Sequence, residues 1–492
     1  MLRPLRSIRV GLALCALLCF SGCGDDDGGA NDTGPPPGDS GPDAAADGGN
    51  PDTGAPDAGP IEDITFGESG SLAAPSGRGS FTFGVASAAT QIEDMNPSTD
   101  WYLWTAPEPE GLGRHTFVAD GAQGYTRALQ DVDLLESLNV DLYRFSVEWA
   151  RVEPERDQID EDALAHYDAL LDELVARGIE PMLTIHHFAS PVWVDDPRQG
   201  GACTAPSDTH LCGWGHPEGG PLVIEEITEH ARLLAERFGD RVDDWGTLNE
   251  PMNYLLASYG VGLFPPGRAL AISNLETFLA VLRDYIRAHV AIYEAIHEAD
   301  TIDADGDGLA ATVGLPLSVG SWLPARDNAP SDDPEDVAAA GRVRAVYHYL
   351  FPEAVLSGNA DTDLDGVADE EHPEWANHLD WLGVQYYFRS GVTGQAILFP
   401  GVDAAVCFGD FDLGSCVPPE DETHWIPTMR YEFWAPGLHE VLVDLGNRWP
   451  DLPLLVTESG IATEVGRRRS EHIVRSLEQI ARARDEGVDV RG

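Results

Sequence analysis

Positive charge is scarce in this chain. Among its 492 residues 84 are Asp or Glu and 30 are Lys or Arg, giving a formal net charge of −54. So acidic a protein is repelled by nucleic acid and by anionic membrane surfaces, and neither is expected as a partner. Long apolar runs are also lacking. The longest, Val10 to Phe20, is too short to stay in a bilayer as a permanent helix. Behind the basic Arg3, Arg6 and Arg9 it reads as an export signal rather than as structure. Cysteine is sparse, with seven in all. Four of them lie beyond the signal in two equally spaced pairs, Cys203/Cys212 and Cys407/Cys416. Neither pair has the close spacing of a zinc knuckle, and export makes disulfides chemically reasonable. Three pairings are open, of which the two local bridges are favoured.

Large apolar side chains are missing altogether from Gly24 to Pro60, which is built of Asp, Gly, Pro, Ala, Asn, Ser and Thr. Nothing there can form a core, so residues 24–60 are expected to be a disordered tether with a reach of about 35 Å. The signal ends in Phe20-Ser21-Gly22-Cys23, which resembles the bacterial lipobox. Residues 1–23 are therefore expected to act as a lipoprotein signal, with Cys23 lipidated. The chain would then be exported and held on the periplasmic or cell-surface side of a bacterial membrane by that anchor alone.

What remains, residues 64–492, alternates short apolar runs with amphipathic stretches. Phe81 to Ala86, Leu142 to Val147, Pro181 to His186, Asp244 to Asn249, Ala311 to Leu315, Trp381 to Gln385 and Leu454 to Thr457 read as strands. Between them, Asp162 to Arg177 places Leu164, Tyr167, Leu170, Leu171 and Leu174 at helical spacing before Gly178. Val132 to Leu138 reads as a helix with Leu134, Leu135 and Leu138 on one face, and Ile224 to Phe238 as another. Seven strand–helix units in one direction predict an α/β fold of the TIM (β/α)8 barrel class, with its site at the C-terminal strand ends.

Two of those ends carry an acid. Trp245-Gly-Thr-Leu-Asn249-Glu250-Pro251 breaks at a proline, which should hold Glu250 extended, and Leu454-Leu-Val-Thr-Glu458-Ser-Gly460 breaks at a glycine. Two carboxyls facing across a barrel suit glycosidic cleavage, one protonating the leaving oxygen while the other attacks the anomeric carbon. A separation of about 5 Å, too short to hold an activated water between them, would give retention of configuration. Two loops have acids at positions one, three and five and glycine at six: Asp303, Asp305, Asp307 and Asp361, Asp363, Asp365. This is calcium-loop spacing, although Gly314 and His372 stand where a bidentate acid belongs. Structural calcium is thus a candidate, more readily in the second loop, and catalysis itself calls for no cofactor.

Six ordered stretches then carry a resemblance. Phe83-Gly-Val-Ala-Ser-Ala-Ala-Thr-Gln91-Ile-Glu, Tyr143-Arg144-Phe-Ser-Val-Glu-Trp-Ala-Arg-Val-Glu-Pro and Thr184-Ile-His-His187-Phe are the first three. Thr247-Leu-Asn249-Glu250-Pro, Tyr259-Gly-Val-Gly-Leu-Phe-Pro-Pro-Gly and Thr457-Glu458-Ser-Gly complete the set. From about Phe81 to Gly492 the chain resembles glycoside hydrolase family one, the retaining β-glucosidases and β-galactosidases. The resemblance implies Glu250 as general acid/base and Glu458 as nucleophile, with Arg144 and Tyr387 supporting Glu458. It implies Asn249 against the sugar's 2-hydroxyl and Gln91 and His187 against its other hydroxyls. Gln385 stands where the family usually has asparagine, a longer amide at the same strand end.

The implied activity is release of terminal β-linked glucose or galactose from short oligosaccharides or from aryl and alkyl glycosides. The alternative is a non-catalytic sugar-binding surface lipoprotein or an inactive remnant. The family's eighth strand and its Trp-Ser-x-x-Asp-Asn-x-Glu-Trp motif are not reached by Gly487-Val-Asp-Val-Arg491-Gly492. The expectation is therefore a truncated barrel with bare edges on its first and seventh strands, poorly folded and essentially inactive.

Overall fold

Each short apolar run becomes a strand of one parallel sheet, and the amphipathic stretches return the chain along its outside. The computed structural model describes Leu72 and residues 81–492, apart from 95, 398–400, 409–411 and 428. Cys23 and the expected tether 24–60 lie outside the described residues. The strands are β1 (Gly84–Ala86), β2 (Leu142–Ser146), β3 (Glu180–His186), β4 (Asp244–Leu248), β5 (Thr312–Arg326), β6 (Trp381–Thr393) and β7 (Leu454–Glu458). They pair in parallel and in chain order, as the TIM barrel requires. Inside the barrel a Cβ added to Gly314 of β5 would lie 2.0 Å from the Trp381 ring, so only glycine lets that indole pass.

The gap expected between β7 and β1 is filled at its N-terminal end. Leu454 donates its N–H to Asp489 O at 2.8 Å and Val456 to Gly492 O at 2.9 Å, while Arg491 donates to Leu454 O at 2.8 Å. On the other side Thr82 donates to Arg491 O at 2.8 Å. The last four residues thus stand in the eighth position, which corrects the expectation of two bare edges there. The physical reason is Val490, which is fully buried: the Val488/Val490 alternation was a strand signal too short to read beside its charges.

The outer layer includes α1 (Ala128–Leu138), α2 (Glu161–Ala176), α3 (Gly219–Phe238), α4 (Leu275–Ala299), α5 (Pro334–Arg344), α6 (Leu350–Ser357), α7 (Ala435–Arg448) and α8 (Gly466–Asp485). In α2 the Asp160 carboxylate accepts from the N–H groups of Asp162 and Ala163, satisfying two donors that a helix start leaves free. Its five expected apolar residues are all buried. In α1 the stripe is rotated from expectation: Val132 and Leu135 are buried, whereas Leu134 and Leu138 are 58% and 57% exposed. Helical spacing defines a wide apolar face, and packing against α2 selects only one side of it. Among the described residues no helix is long and apolar enough to cross a membrane.

Beyond the barrel rim β5 and β6 stay paired as far as Pro324 and Val392, after an irregularity between Val319 and Ser321. A short antiparallel strand, Ala405–Val406, lies against Val392 and Thr393 of β6, and Glu432 pairs with Arg389. The disulfides are the two favoured local ones, Cys203–Cys212 and Cys407–Cys416. The second ties the Ala405–Val406 hairpin into a wall above the C-terminal strand ends.

The rotation of α1 is testable by denaturant unfolding. Leu135→Ala should lower stability by about 2–4 kcal/mol through a core cavity, and Leu134→Ala by less than about 0.5 kcal/mol. Equal losses would mean that the helix buries both.

Candidate active site

At the end of β4 the next two residues are pinned from opposite sides. Asn249 donates its N–H to His186 O of β3 at 2.8 Å, and Glu250 donates to Pro316 O of β5 at 2.8 Å. Glu250 is not extended, as Pro251 was expected to make it, but left-handed at φ 43 and ψ 60. The lateral bond to β5 and the helical turn Pro251–Tyr254 that starts next hold it there, at a strain of about 1–2 kcal/mol. This bend buries the Glu250 carboxyl, whose Oε2 accepts from Asn253 Nδ2. Burial, and then the negative charge of Glu458, push its pKa up to about 8.

Glu458 ends β7 in different surroundings. Its Oε1 accepts from Arg144 at 2.6 Å and its Oε2 from the Tyr387 hydroxyl. Arg144 is itself buried and donates through Nε to Thr184 at 3.0 Å and through its second terminal nitrogen to Asn249 Oδ1 at 2.7 Å. One guanidinium therefore binds strands β2, β3 and β7 to the residue that follows β4.

Gln385 also donates to Asn249 Oδ1, at 2.8 Å, so the longer amide does reach. With two donors on its oxygen, Asn249 must direct Nδ2 the other way, where His187 Nε2 lies 3.1 Å off. That nitrogen accordingly accepts, and the His187 proton sits on Nδ1, which has no partner among the described residues. Burial and the nearby Arg144 charge hold His187 well below the usual histidine range, hence neutral. Its Nε2 is 3.9 Å from Glu458 Oε1.

Glu250, Glu458, Arg144, Asn249, His187, Gln385 and Tyr387 are thus brought together. Gln91 sits on the one-turn helix Ala89–Ile92 with an exposed side chain that makes no hydrogen bond to them among the described residues. Two contributors escaped the sequence reading. Asn253 lies three residues after Glu250 on the turn Pro251 opens, a spacing that could have revealed it. Thr184 lies two residues before His186 on β3.

The acid loops are closed by backbone donors. Asp361 accepts from Leu364 at 2.7 Å and Gly366 at 2.8 Å, and Asp303 from Gly306 at 2.7 Å and Gly308 at 3.0 Å. Carboxylate oxygens of Asp361, Asp363 and Asp365 lie within 4.8 Å of one another. In the first loop the clustered trio is Asp243, Asp303 and Asp305, so Asp307 is not the third member expected there.

A parallel barrel with two glutamates brought together at its C-terminal rim is the layout of a glycoside hydrolase. The chain belongs to glycosyl hydrolase family 1, whose profile matches residues 76–492. The beta-galactosidase of Pyrococcus woesei is 26% identical over 463 residues, covering 84% of this chain and 87% of that protein. A benzoxazinyl glucoside beta-D-glucosidase of Triticum aestivum is 26% identical over 456 residues, covering 84% and 74%. Among solved structures, the beta-glycosidase from Pyrococcus horikoshii has 27% identity and a TM-score of 0.65, over 84% of this chain and 83% of its own.

The mutual influence of the two glutamates can be measured. Carbon-detected NMR of the Glu250 carboxyl should show a midpoint near 8. In Glu458→Gln the midpoint should fall but stay above that of a free glutamate, because the repulsion is gone and the burial remains. An unchanged midpoint would mean that the two carboxyls do not face each other.

Proposed function

We propose that the chain is a retaining exo-β-glycosidase that releases terminal β-linked glucose or galactose from short oligosaccharides or from aryl and alkyl glycosides. The observation that carries this reading is the unlike setting of the two glutamates. Glu458 is bonded to a guanidinium and a phenol, and Glu250 is buried and held proton-bearing at neutral pH. Attack by Glu458 on the anomeric carbon breaks the bond to the glycosidic oxygen, which takes the Glu250 proton as it leaves. The Glu250 carboxylate then removes a proton from water, whose oxygen displaces Glu458 and restores both groups. Arg144 and Tyr387 hold the attacking carboxylate in place, and Asn249 and His187, bonded to each other beside it, are the candidates for meeting the sugar's hydroxyls. No cofactor enters these steps. The wheat and Pyrococcus woesei relatives are named for glucoside and galactoside substrates respectively, which supports keeping both sugars in the reading. A lipid on Cys23 would hold this catalyst at a bacterial membrane, a proposal that the intact mass of the exported protein tests.

The test is hydrolysis of aryl β-glucoside and β-galactoside followed by proton NMR. The first hemiacetal should have the β configuration, and Glu458→Ala should abolish its formation. An α hemiacetal would overturn the mechanism, and no turnover by the intact chain would favour a sugar-binding role.

The pH profile follows from the acid. A raised carboxyl pKa means that the working proton is present below about 8, so kcat/KM should fall as pH rises through about 8. Glu250→Gln should remove that limb and slow poor leaving groups by about 10²–10⁴. An alkaline limb that survives the substitution would assign it to another group.

A further inference from the structure

A cavity of about 160 Å³ opens beside the Glu250 carboxyl. Of the site residues only Glu250, Asn253 and Tyr387 line it, and Asn249, His187, Gln385 and Glu458 do not. Glu250 therefore stands between the hydrogen-bonding cluster and a second space. The walls of that space are apolar and buried: Phe278 of α4, Trp322 of β5, Val346 just past α5, and Val402, Ala404 and Val406 from the disulfide-tied hairpin.

Several of the polar side chains along it are already engaged within the protein, although Asn253 Oδ1 beside Glu250 has no partner among the described residues. Arg389 makes a two-point pair with Glu432 at 2.7 and 2.9 Å and stacks 3.8 Å from the centre of the Trp434 ring. Ser390 donates to Cys407 O at 2.7 Å, and Ser318 accepts from the Tyr347 hydroxyl at 3.2 Å. A sugar placed here would bury several hydroxyls against hydrocarbon, which is unfavourable unless each finds a partner. An apolar group meets no such penalty. Cavities of about 150 Å³ with Leu, Ile and Phe walls stay dry and accept a benzene ring.

We infer that the leaving group this site takes is apolar and about one ring in size, so that alkyl and aryl β-glycosides are cleaved in preference to disaccharides. The inference rests on the glycosidase reading and selects among its substrates. It follows from position: the group that leaves is bonded to the oxygen that Glu250 protonates, and the cavity is the space adjoining that carboxyl. The hairpin bearing Val402, Ala404 and Val406 is then the specificity element, and the Cys407–Cys416 bridge holds it against β6.

The comparison that isolates the cavity is hexyl against methyl β-glycoside, because the two leaving oxygens have nearly equal chemistry. Burying a methylene is worth about fourfold, so hexyl should exceed methyl in kcat/KM by at least about a hundredfold. Hexyl glycoside should also exceed cellobiose or lactose. Ala404→Phe and Ala271→Phe, the latter at a lining residue on the short helix Leu270–Ser273, should each reduce the hexyl-to-methyl ratio to below about tenfold. A wild-type ratio near one, a disaccharide preference, or a ratio retained in both variants while methyl glycoside is still cleaved would overturn the inference. Glycosyl fluorides, whose fluoride needs neither cavity nor acid, separate this from failure of the glycosidase reading. If neither the gluco nor the galacto fluoride is turned over, that reading fails, and titration with 1-hexanol decides the cavity. Saturable binding lost in Ala404→Phe supports it, and absence of binding overturns it.

Discussion

The structure depends on one buried guanidinium. Arg144 is 2% exposed and carries a positive charge at the centre of a parallel barrel, where an uncompensated charge would be strongly unfavourable. It is tolerated because its donors are met by Glu458, Asn249 and Thr184. Each partner belongs to a different strand or strand end, so satisfying the charge also fixes where those strands finish. Removing one partner of such a buried pair typically costs about 3–5 kcal/mol, because the other is left without compensation. A planar fork is required for this task, since a lysine would offer a single point charge to three divergent acceptors.

From that anchor the chemistry divides by environment. Arg144 lies against Glu458 and, through Asn249 Oδ1, settles which way the neighbouring amide and His187 point. Glu250 is one residue further along the same chain, yet it is turned into the left-handed region, where its burial outweighs the opposing charge of Arg144. Two residues of one kind are thus given different tasks by burial and by the partners that the backbone sets beside each. The extensions of β5 and β6 add the third component. By continuing past the rim they support a hairpin that closes an apolar space beside the acid, so the same two strands supply Gln385, Tyr387 and the leaving-group wall.

The strands and both glutamates were legible in the sequence because proline and glycine punctuate strand ends and because hydrophobic spacing is strong in segments such as α2. The left-handed turn at Glu250 was not, since it is set by a bond to Pro316 on a strand 66 residues distant that local rules do not contain. The face of α1 was ambiguous because its leucines span more of the helix than α2 can cover. Asn253 was within reach of simple reasoning, three residues after the acid on a turn opened by proline. Asp489 to Gly492 was obscured by its charges, although Val490 pointed inward.

The central claim is that Glu458 forms a bond to the sugar while Arg144 and Tyr387 hold it. The most direct measurement is intact-protein mass spectrometry after incubation with 2-deoxy-2-fluoro β-glucosyl and β-galactosyl fluorides, followed by peptide mapping. Slow hydrolysis of the fluorinated intermediate lets it accumulate. The account predicts an increase in mass of one fluorosugar, located on Glu458 and absent from Glu458→Ala. An adduct on any other residue, or turnover of natural glycosides with no adduct from either reagent, would contradict it.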